Sequence, residues 1–323
     1  MRAPDFWHGA PETLAARLLA PLGAAYGVLS RLRTFGVTPW RAPVPVICVG
    51  NLTVGGAGKT PTVLALAERL RGHGLSVATV SRGYSGSEKG PLQVDPARHS
   101  AGEVGDEPLL LAGKATAWIA RDRKDGARAA IAEGADVVLL DDGFQNPTLH
   151  KNLSFVVIDA GYGFGNGRVM PAGPLREPIS RGLARAQAIV LIGDGKLPLA
   201  TTLPVLRARL VPDEAARDLK GRRVAAFAGI GRPEKFAATL RETGAEVVSL
   251  AAFADHHPYR EDEVARLIEA AQRAGAVLVT TAKDFVRLPE NLRRAVTVAG
   301  IELRFDEPGA LDALLKPILA TAR

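Results

Sequence analysis

The chain has 323 residues, of which 47% are hydrophobic and 23% charged, with a formal net charge of +7 at pH 7. That balance belongs to a globular protein with room for two medium domains and excludes a disordered, collagenous or disulfide-stapled chain. The basic excess forms no long Lys/Arg run and no aromatic-basic interleaving, so it points to an anionic surface or substrate and away from nucleic acid.

Five arginines (Arg2, Arg17, Arg31, Arg33, Arg41) stand against Asp5 and Glu12 in the first 41 residues. Between Arg17 and Arg31 lie thirteen uncharged residues broken by Pro21, Gly23 and Gly27, whereas a spanning helix needs about 20 apolar residues. This segment is too short to cross a bilayer. Acidic residues before it and a nucleotide motif after it also argue against a signal peptide. Two readings stay open: an amphipathic segment lying in a membrane surface on Trp7, Leu14, Leu18, Leu19, Leu22, Tyr26 and Leu29, or a helix packed on the core. Arg17, Arg31, Arg33 and Arg41 would contribute about 1 kcal/mol each near anionic lipid, so useful attachment also needs two or three buried leucines at about 1.5–3 kcal/mol each.

Further along, apolar runs at 44–49, 75–81, 118–120, 136–140 and 155–159 alternate with helical patterns at 62–71, 106–113 and 122–133. This is the βα rhythm of a mainly parallel sheet with helices on both faces. Cys48, the one cysteine, sits in the first run and reads as a small core residue in a reducing compartment. The Gly/Pro-rich stretch 161–178 predicts a loop or hairpin over a site. Strands follow at 188–192 and 205–210, then a polar break at 212–220. A second series starts there: strands 224–228, 246–250 and 276–280, with helices 233–242, 261–273 and 309–321. The expected division is 1–210, an N-terminal amphipathic segment with a phosphate-loop domain, and 211–323, a smaller α/β/α domain.

Residues 49–62 read V-G-N-L-T-V-G-G-A-G-K-T-P-T between the first strand and the first sheet helix. Gly55, Gly56, Ala57 and Gly58 let backbone amides close on polyphosphate oxygens. Lys59 can reach the β/γ-phosphates, the Thr60 hydroxyl can ligate Mg²⁺, and the helix beginning around Pro61 adds its positive end. The first glycine of the G-x-x-x-x-G-K-[ST] pattern is Thr53 here.

The strand 137–140 delivers Asp141 and Asp142 at its C-terminal end, where ligands collect on a parallel sheet and where a Mg²⁺-nucleotide site needs carboxylates. Asp106, in Gly-Asp-Glu-Pro before an apolar helix, is either an N-cap or a base accepting the proton of an attacking hydroxyl. His256 and His257 share a loop with Asp255; no second His/Cys cluster gives them zinc spacing, and a carboxylate-His grouping fits a tuned base. Arg82, after the second strand, and Arg176, after the Gly-rich stretch, can hold an anion.

Taken together, G-N-L-T-V-G-G-A-G-K-T-P, S-R-G-Y, V-G-D-E-P, D-D-G-F-Q, G-R-V-M-P-A-G-P-L-R-E-P, F-A-D-H-H-P-Y and T-A-K-D resemble the tetraacyldisaccharide 4′-kinase (lipid A 4′-kinase) family, in the family's order from about residue 45 to 285. That family also lacks the first glycine. The resemblance implies an α/β fold of P-loop NTPase type whose two domains flank an active-site cleft. It implies ATP and Mg²⁺ as cofactors and a tetraacylated glucosamine disaccharide 1-phosphate as substrate. It places the chain at the cytoplasmic face of the Gram-negative inner membrane, with the N-terminal segment on the anionic surface and no obligatory protein partner. By motif, Lys59 and Thr60 serve ATP and the metal, and Asp141, Asp142 and Glu177 the metal region. Asp106 is the base, assisted by His256 or His257. Arg82, Glu107, Gln145 and Arg176 lie toward the substrate. Ser85 and Ala282 depart from the residues common in the family. The rival class, a P-loop GTPase or ATPase switch or metallochaperone, lacks support: no N-K-x-D is present, and Val54 replaces the signature lysine of the dimeric ATPases.

Overall fold

The computed structural model describes residues 4–8, 13–32, 34–231 and 233–322; Arg2, Glu12 and Arg33 lie outside them. The strands are β1 (Val46–Gly50), β2 (Val77–Ser81), β3 (Leu92–Gln93), β4 (Thr116–Ile119), β5 (Val137–Asp141), β6 (Leu153–Asp159), β7 (Ala188–Ile192), β8 (Val205–Pro212), β9 (Arg223–Ala228), β10 (Glu246–Ala252), β11 (Val277–Thr280), β12 (Thr297–Val298) and β13 (Ile301–Phe305). The α-helices are α1 (Leu14–Leu32), α2 (Lys59–Gly72), α3 (Ala101–Val104), α4 (Asp106–Ala112), α5 (Arg123–Ala132), α6 (Ile179–Leu183), α7 (Glu214–Arg217), α8 (Pro233–Glu242), α9 (Glu261–Arg273), α10 (Ala282–Phe285) and α11 (Pro308–Thr321).

Nine strands form one sheet in the order β13-β8-β7-β6-β1-β5-β2-β4-β3, and four form a second in the order β10-β9-β11-β12. The large sheet is parallel except at its edges, where β13 meets β8 and β3 meets β4 antiparallel. β1 and β5 are apolar throughout because both faces are covered, and successive side chains take opposite sides. Ile47 and Val49 pack with Val63, Leu66 and Leu70 of α2 and Leu315 of α11. Val46 and Cys48 pack on the other face with Ala127 and Ala130 of α5. Burial pushes the Cys48 thiol up to about 12, which leaves it an inert core residue. In the small sheet, Val224 and Ala226 face Leu240 of α8, while Phe227 and Leu278 face Val264 of α9. This is the expected α/β fold of P-loop NTPase type with a second, smaller α/β/α body.

The division at residue 210 needs correction at its far end. After the small sheet the chain returns: β13 pairs along β8 from Ile301↔Pro212 to Phe305↔Ala208, and Leu311, Leu315 and Ile318 of α11 bury beside α2. Residues 301–322 therefore belong to the large sheet. The physical reason is the open edge of β8, which the alternating I-E-L-R-F strand covers.

Helix α1 buries only Ala16 and Gly23. Leu14 and Leu18 are 73% and 70% exposed, and Leu22, Leu29 and Leu32 are exposed as well. The core-packed alternative for this segment does not describe it.

Candidate active site

Gly58 caps α2 with φ 86°, in the left-handed region, and Gly55 has φ 118°; a side chain at either would strain the loop. Lys59, Thr60 and Pro61 then form the first turn of α2, whose unpaired amides face the loop. Pro61 fits there because no hydrogen bond is asked of its nitrogen. Thr53, in the place of the missing glycine, is buried and bridges to Leu175, while the Val54 amide donates to the Pro174 carbonyl at 2.8 Å. The Gly/Pro-rich stretch is thus stitched to the phosphate loop.

Asp141 ends β5 beside this loop, and the Thr60 hydroxyl donates to its Oδ2 at 3.1 Å. Its Oδ1 is buried with no hydrogen bond. Burial, and then the charge of Glu107, push the carboxyl up to about 7 against the pull of Lys59. A buried carboxylate whose hydrogen-bond donor is a neutral hydroxyl, with its other oxygen unpaired, has room for a cation. The next residue is differently placed: Asp142, at φ 53°, receives both Arg176 nitrogens at 2.9 and 3.1 Å and has Lys59 Nζ 3.9 Å away. Glu177, 3% exposed, is held by both Arg185 nitrogens at 2.8 Å. Gln145 donates to the Asn51 carbonyl at 3.0 Å and to Glu177 at 3.2 Å. Of the four residues expected at the metal, the structure leaves Thr60 and Asp141 available and engages Asp142 and Glu177 with arginines.

Asp106 opens α4, but the N-cap position is Gly105, with φ 90°, and no side-chain cap bond forms. Its carboxylate turns toward the second body instead. His256 Nδ1 lies 2.7 Å from Asp106 Oδ2, and Lys283 Nζ lies 3.1 Å from His256 Nε2. An ammonium only donates, so Nε2 accepts and Nδ1 carries the proton it gives to Asp106. Arg287, 4% exposed in its side chain, places Nη2 2.9 Å from the same Asp106 oxygen and is anchored by Asp284 at 3.1 Å. Asp284 in turn accepts from Tyr259 at 3.0 Å and from the Gly229 amide at 2.9 Å. His256 itself has φ 60°, a strained backbone of the kind that collects at functional sites.

His257 goes elsewhere: its Nε2 meets Glu263 at 3.1 Å, and its ring packs 4.8 Å from Phe253 and 5.0 Å from Tyr259. Arg82 is exposed at the end of β2, and Glu107 is exposed beside Asp106. Arg185, Lys283 and Arg287 escaped the motif reading; Lys283 lies within the T-A-K-D run and Arg287 three residues beyond it, but only the tertiary fold brings them to His256 and Asp106.

Fold and site together define a phosphotransferase of the P-loop class: a glycine-rich anion cradle, a hydroxyl-carboxylate pair beside it, and a carboxylate of the large-sheet body met by a histidine from the second body. The chain belongs to the family described as Tetraacyldisaccharide-1-P 4'-kinase, whose match spans residues 15–320. It is 56% identical to the tetraacyldisaccharide 4'-kinase of Rhodospirillum centenum, over 99% of this chain and 97% of that one. It is 51% identical to the protein of the same name from Rhodospirillum rubrum, over 99% and 98%. Its fold is similar to that of LpxK from Aquifex aeolicus, solved in complex with ATP, with a TM-score of 0.78 and 28% identity over 95% of this chain and all of that one.

Proposed function

We propose that this chain transfers the terminal phosphoryl of ATP to the 4′-hydroxyl of a tetraacylated glucosamine disaccharide 1-phosphate in lipid A biosynthesis. The observation that carries the reading is the Asp106–His256 contact at 2.7 Å; Asp106 directly precedes Glu107, whose charge is among those that act on Asp141 beside the phosphate loop. Asp106 accepts the proton of the attacking hydroxyl, His256 and Arg287 fix its orientation, and Lys59 offsets charge developing on the phosphoryl oxygens. Thr60 and Asp141 fit Mg²⁺, a hard ion that needs only one or two carboxylates; when bound, it would neutralise charge between the phosphates. Gly55, Gly56, Ala57 and Gly58 cradle those phosphates. Arg82, Glu107, Gln145 and Arg176 line the acceptor side.

The bilayer contact is assigned to α1, whose exposed Leu14, Leu18, Leu22 and Leu29 recur on one stripe. No described helix is long and apolar enough to cross a membrane, so attachment at the cytoplasmic face is peripheral, through these leucines and the nearby arginines.

Two substitutions test the roles. Lys59→Ala should lower turnover by at least about 10²-fold. Asp106→Asn should lower kcat by about 10²–10⁴ while ATP affinity stays near wild type. Equal loss of kcat and ATP affinity in Asp106→Asn would assign that residue a structural task instead.

A further inference from the structure

His256 meets Asp106 with little packed around its ring. Its side chain is 50% exposed, and among the described residues no aromatic ring lies on it, whereas the adjacent His257 packs against Phe253 and Tyr259. A half-exposed imidazole can turn over or move its proton from one nitrogen to the other, and which nitrogen carries it is decided by the bond that the other one makes. Two groups of opposite charge compete at Nε2. Lys283 Nζ lies 3.1 Å from it, and Asp255 Oδ1 lies 3.8 Å from it and 3.6 Å from that ammonium. Asp255 alone would draw a proton onto Nε2. The ammonium is nearer and can only donate, so it reverses that choice.

The run that carries Lys283 also fixes the histidine's backbone. Asp284, the next residue, is fully buried and accepts from the Gly229 amide at 2.9 Å, and the Gly229 carbonyl accepts from the His256 amide at 3.2 Å. A Cβ at position 229 would stand 2.9 Å from both the Ala254 carbonyl and the Tyr259 hydroxyl, so only glycine lets this frame close. The main chain of His256, at φ 60°, is thus tied down through Asp284 and its ring through Lys283. On Asp106 both contacts from the small body fall on Oδ2, His256 Nδ1 at 2.7 Å and Arg287 Nη2 at 2.9 Å. Oδ1 is left for the incoming hydroxyl.

We propose that Lys283 is a positioning residue for the transfer: its ammonium holds Nε2 of His256 bare, so that Nδ1 keeps the proton it donates to Asp106 Oδ2. Oδ1 then takes the proton of the acceptor hydroxyl as that oxygen bonds to phosphorus and the bond to ADP breaks, its electron pair leaving with ADP. The inference rests on Asp106 as the base and adds a group that acts only through His256.

The test has two arms, both on full-length protein. Nitrogen NMR of protein carrying isotope-labelled histidine, with His256 assigned from the His256→Gln spectrum, reads which ring nitrogens are protonated at neutral pH. Wild type should show a protonated Nδ1 and a bare Nε2. Lys283→Met, which removes the ammonium and keeps the reach of the side chain, should show a proton on Nε2, and Lys283→Arg should restore the wild-type ring. In turnover with Mg-ATP, Lys283→Met should lower kcat about tenfold with KM for ATP and Tm near wild type, and Lys283→Arg should recover part of the loss. Added to His256→Ala, Lys283→Met should cost nothing further, because its effect passes through the missing ring. An unchanged ring in Lys283→Met, or a further fall in kcat in the His256→Ala background, overturns the proposal. So does a raised KM for ATP with kcat unchanged, which would assign Lys283 to the nucleotide phosphates. The expected ring states in a wild type that transfers no phosphoryl would overturn the kinase reading and uphold the assignment of Lys283 to His256.

Discussion

The buried carboxylate of Asp141 couples the site's chemistry to stability. Its proton is held up to about 7 in the folded chain against 3.8 for an ordinary aspartate. Between those values the folded state binds a proton that the unfolded state lacks, so stability is fully present below the lower value and is lost as pH rises through the upper one. The limiting slope is about 1.4 kcal/mol per pH unit. Asp141→Asn should flatten the fall in Tm between pH 5 and 7.5 and raise Tm at pH 7.5, while abolishing Mg²⁺-dependent turnover; an unchanged pH slope would show that Asp141 is not the group responsible. The two histidines separate in the same way. His256→Ala should reduce kcat by about tenfold or more. His257→Ala should leave kcat near wild type and cost about 0.5–1.5 kcal/mol of stability through its aromatic contacts. At this scale the sequence was most readable where chemistry is contiguous: Gly55 to Thr60 needs only its own loop and helix. It was least readable where a partner is distant. Nothing local in Asp106 tells a cap from a base, and nothing in Arg287 says that its guanidinium will reach a carboxylate on another sheet. Ser85 is a smaller case: its φ of 69° lies in the left-handed region that glycine adopts most readily, the residue that the resemblance implies there.

Among elements, the strand-helix alternation of the large sheet follows from periodicity because each central strand is an unbroken apolar run. The ends of the chain do not follow so simply. Helix α1 reads equally as surface or core until its leucines are seen exposed, since amphipathicity alone does not name the phase it faces. Replacing Arg17 and Arg31 by Glu and Leu18 and Leu22 by Ser should release the protein from anionic vesicles, and undiminished co-sedimentation would remove α1 as the attachment. At the other end, β13 was passed over because its partner β8 lies on the far side of an entire βα series. Leu315 of α11 is fully buried against the large sheet, so Leu315→Ala should cost about 2–5 kcal/mol. A loss below about 1 kcal/mol would mean that α11 is only loosely seated.

For the whole molecule, the decisive feature is that neither sheet completes the site alone. The large sheet supplies the phosphate loop and Asp106; the small one supplies His256, Lys283 and Arg287, which meet that carboxylate at 2.7 and 2.9 Å through His256 and Arg287. The chain leaves the large sheet after β8 and returns to it at β13, so the small body is an insertion tied to the large sheet at both ends. Removing one partner of a buried ion pair costs about 3–5 kcal/mol, so Arg287→Gln should both destabilise the chain and slow transfer. The most direct measurement is mass spectrometry of a tetraacyldisaccharide 1-phosphate incubated with the purified protein and Mg-ATP. One added phosphate on the 4′-oxygen, formed by wild type and suppressed in Asp106→Asn, is the expected result; ATP consumed with the lipid mass unchanged would refute phosphoryl transfer to this acceptor.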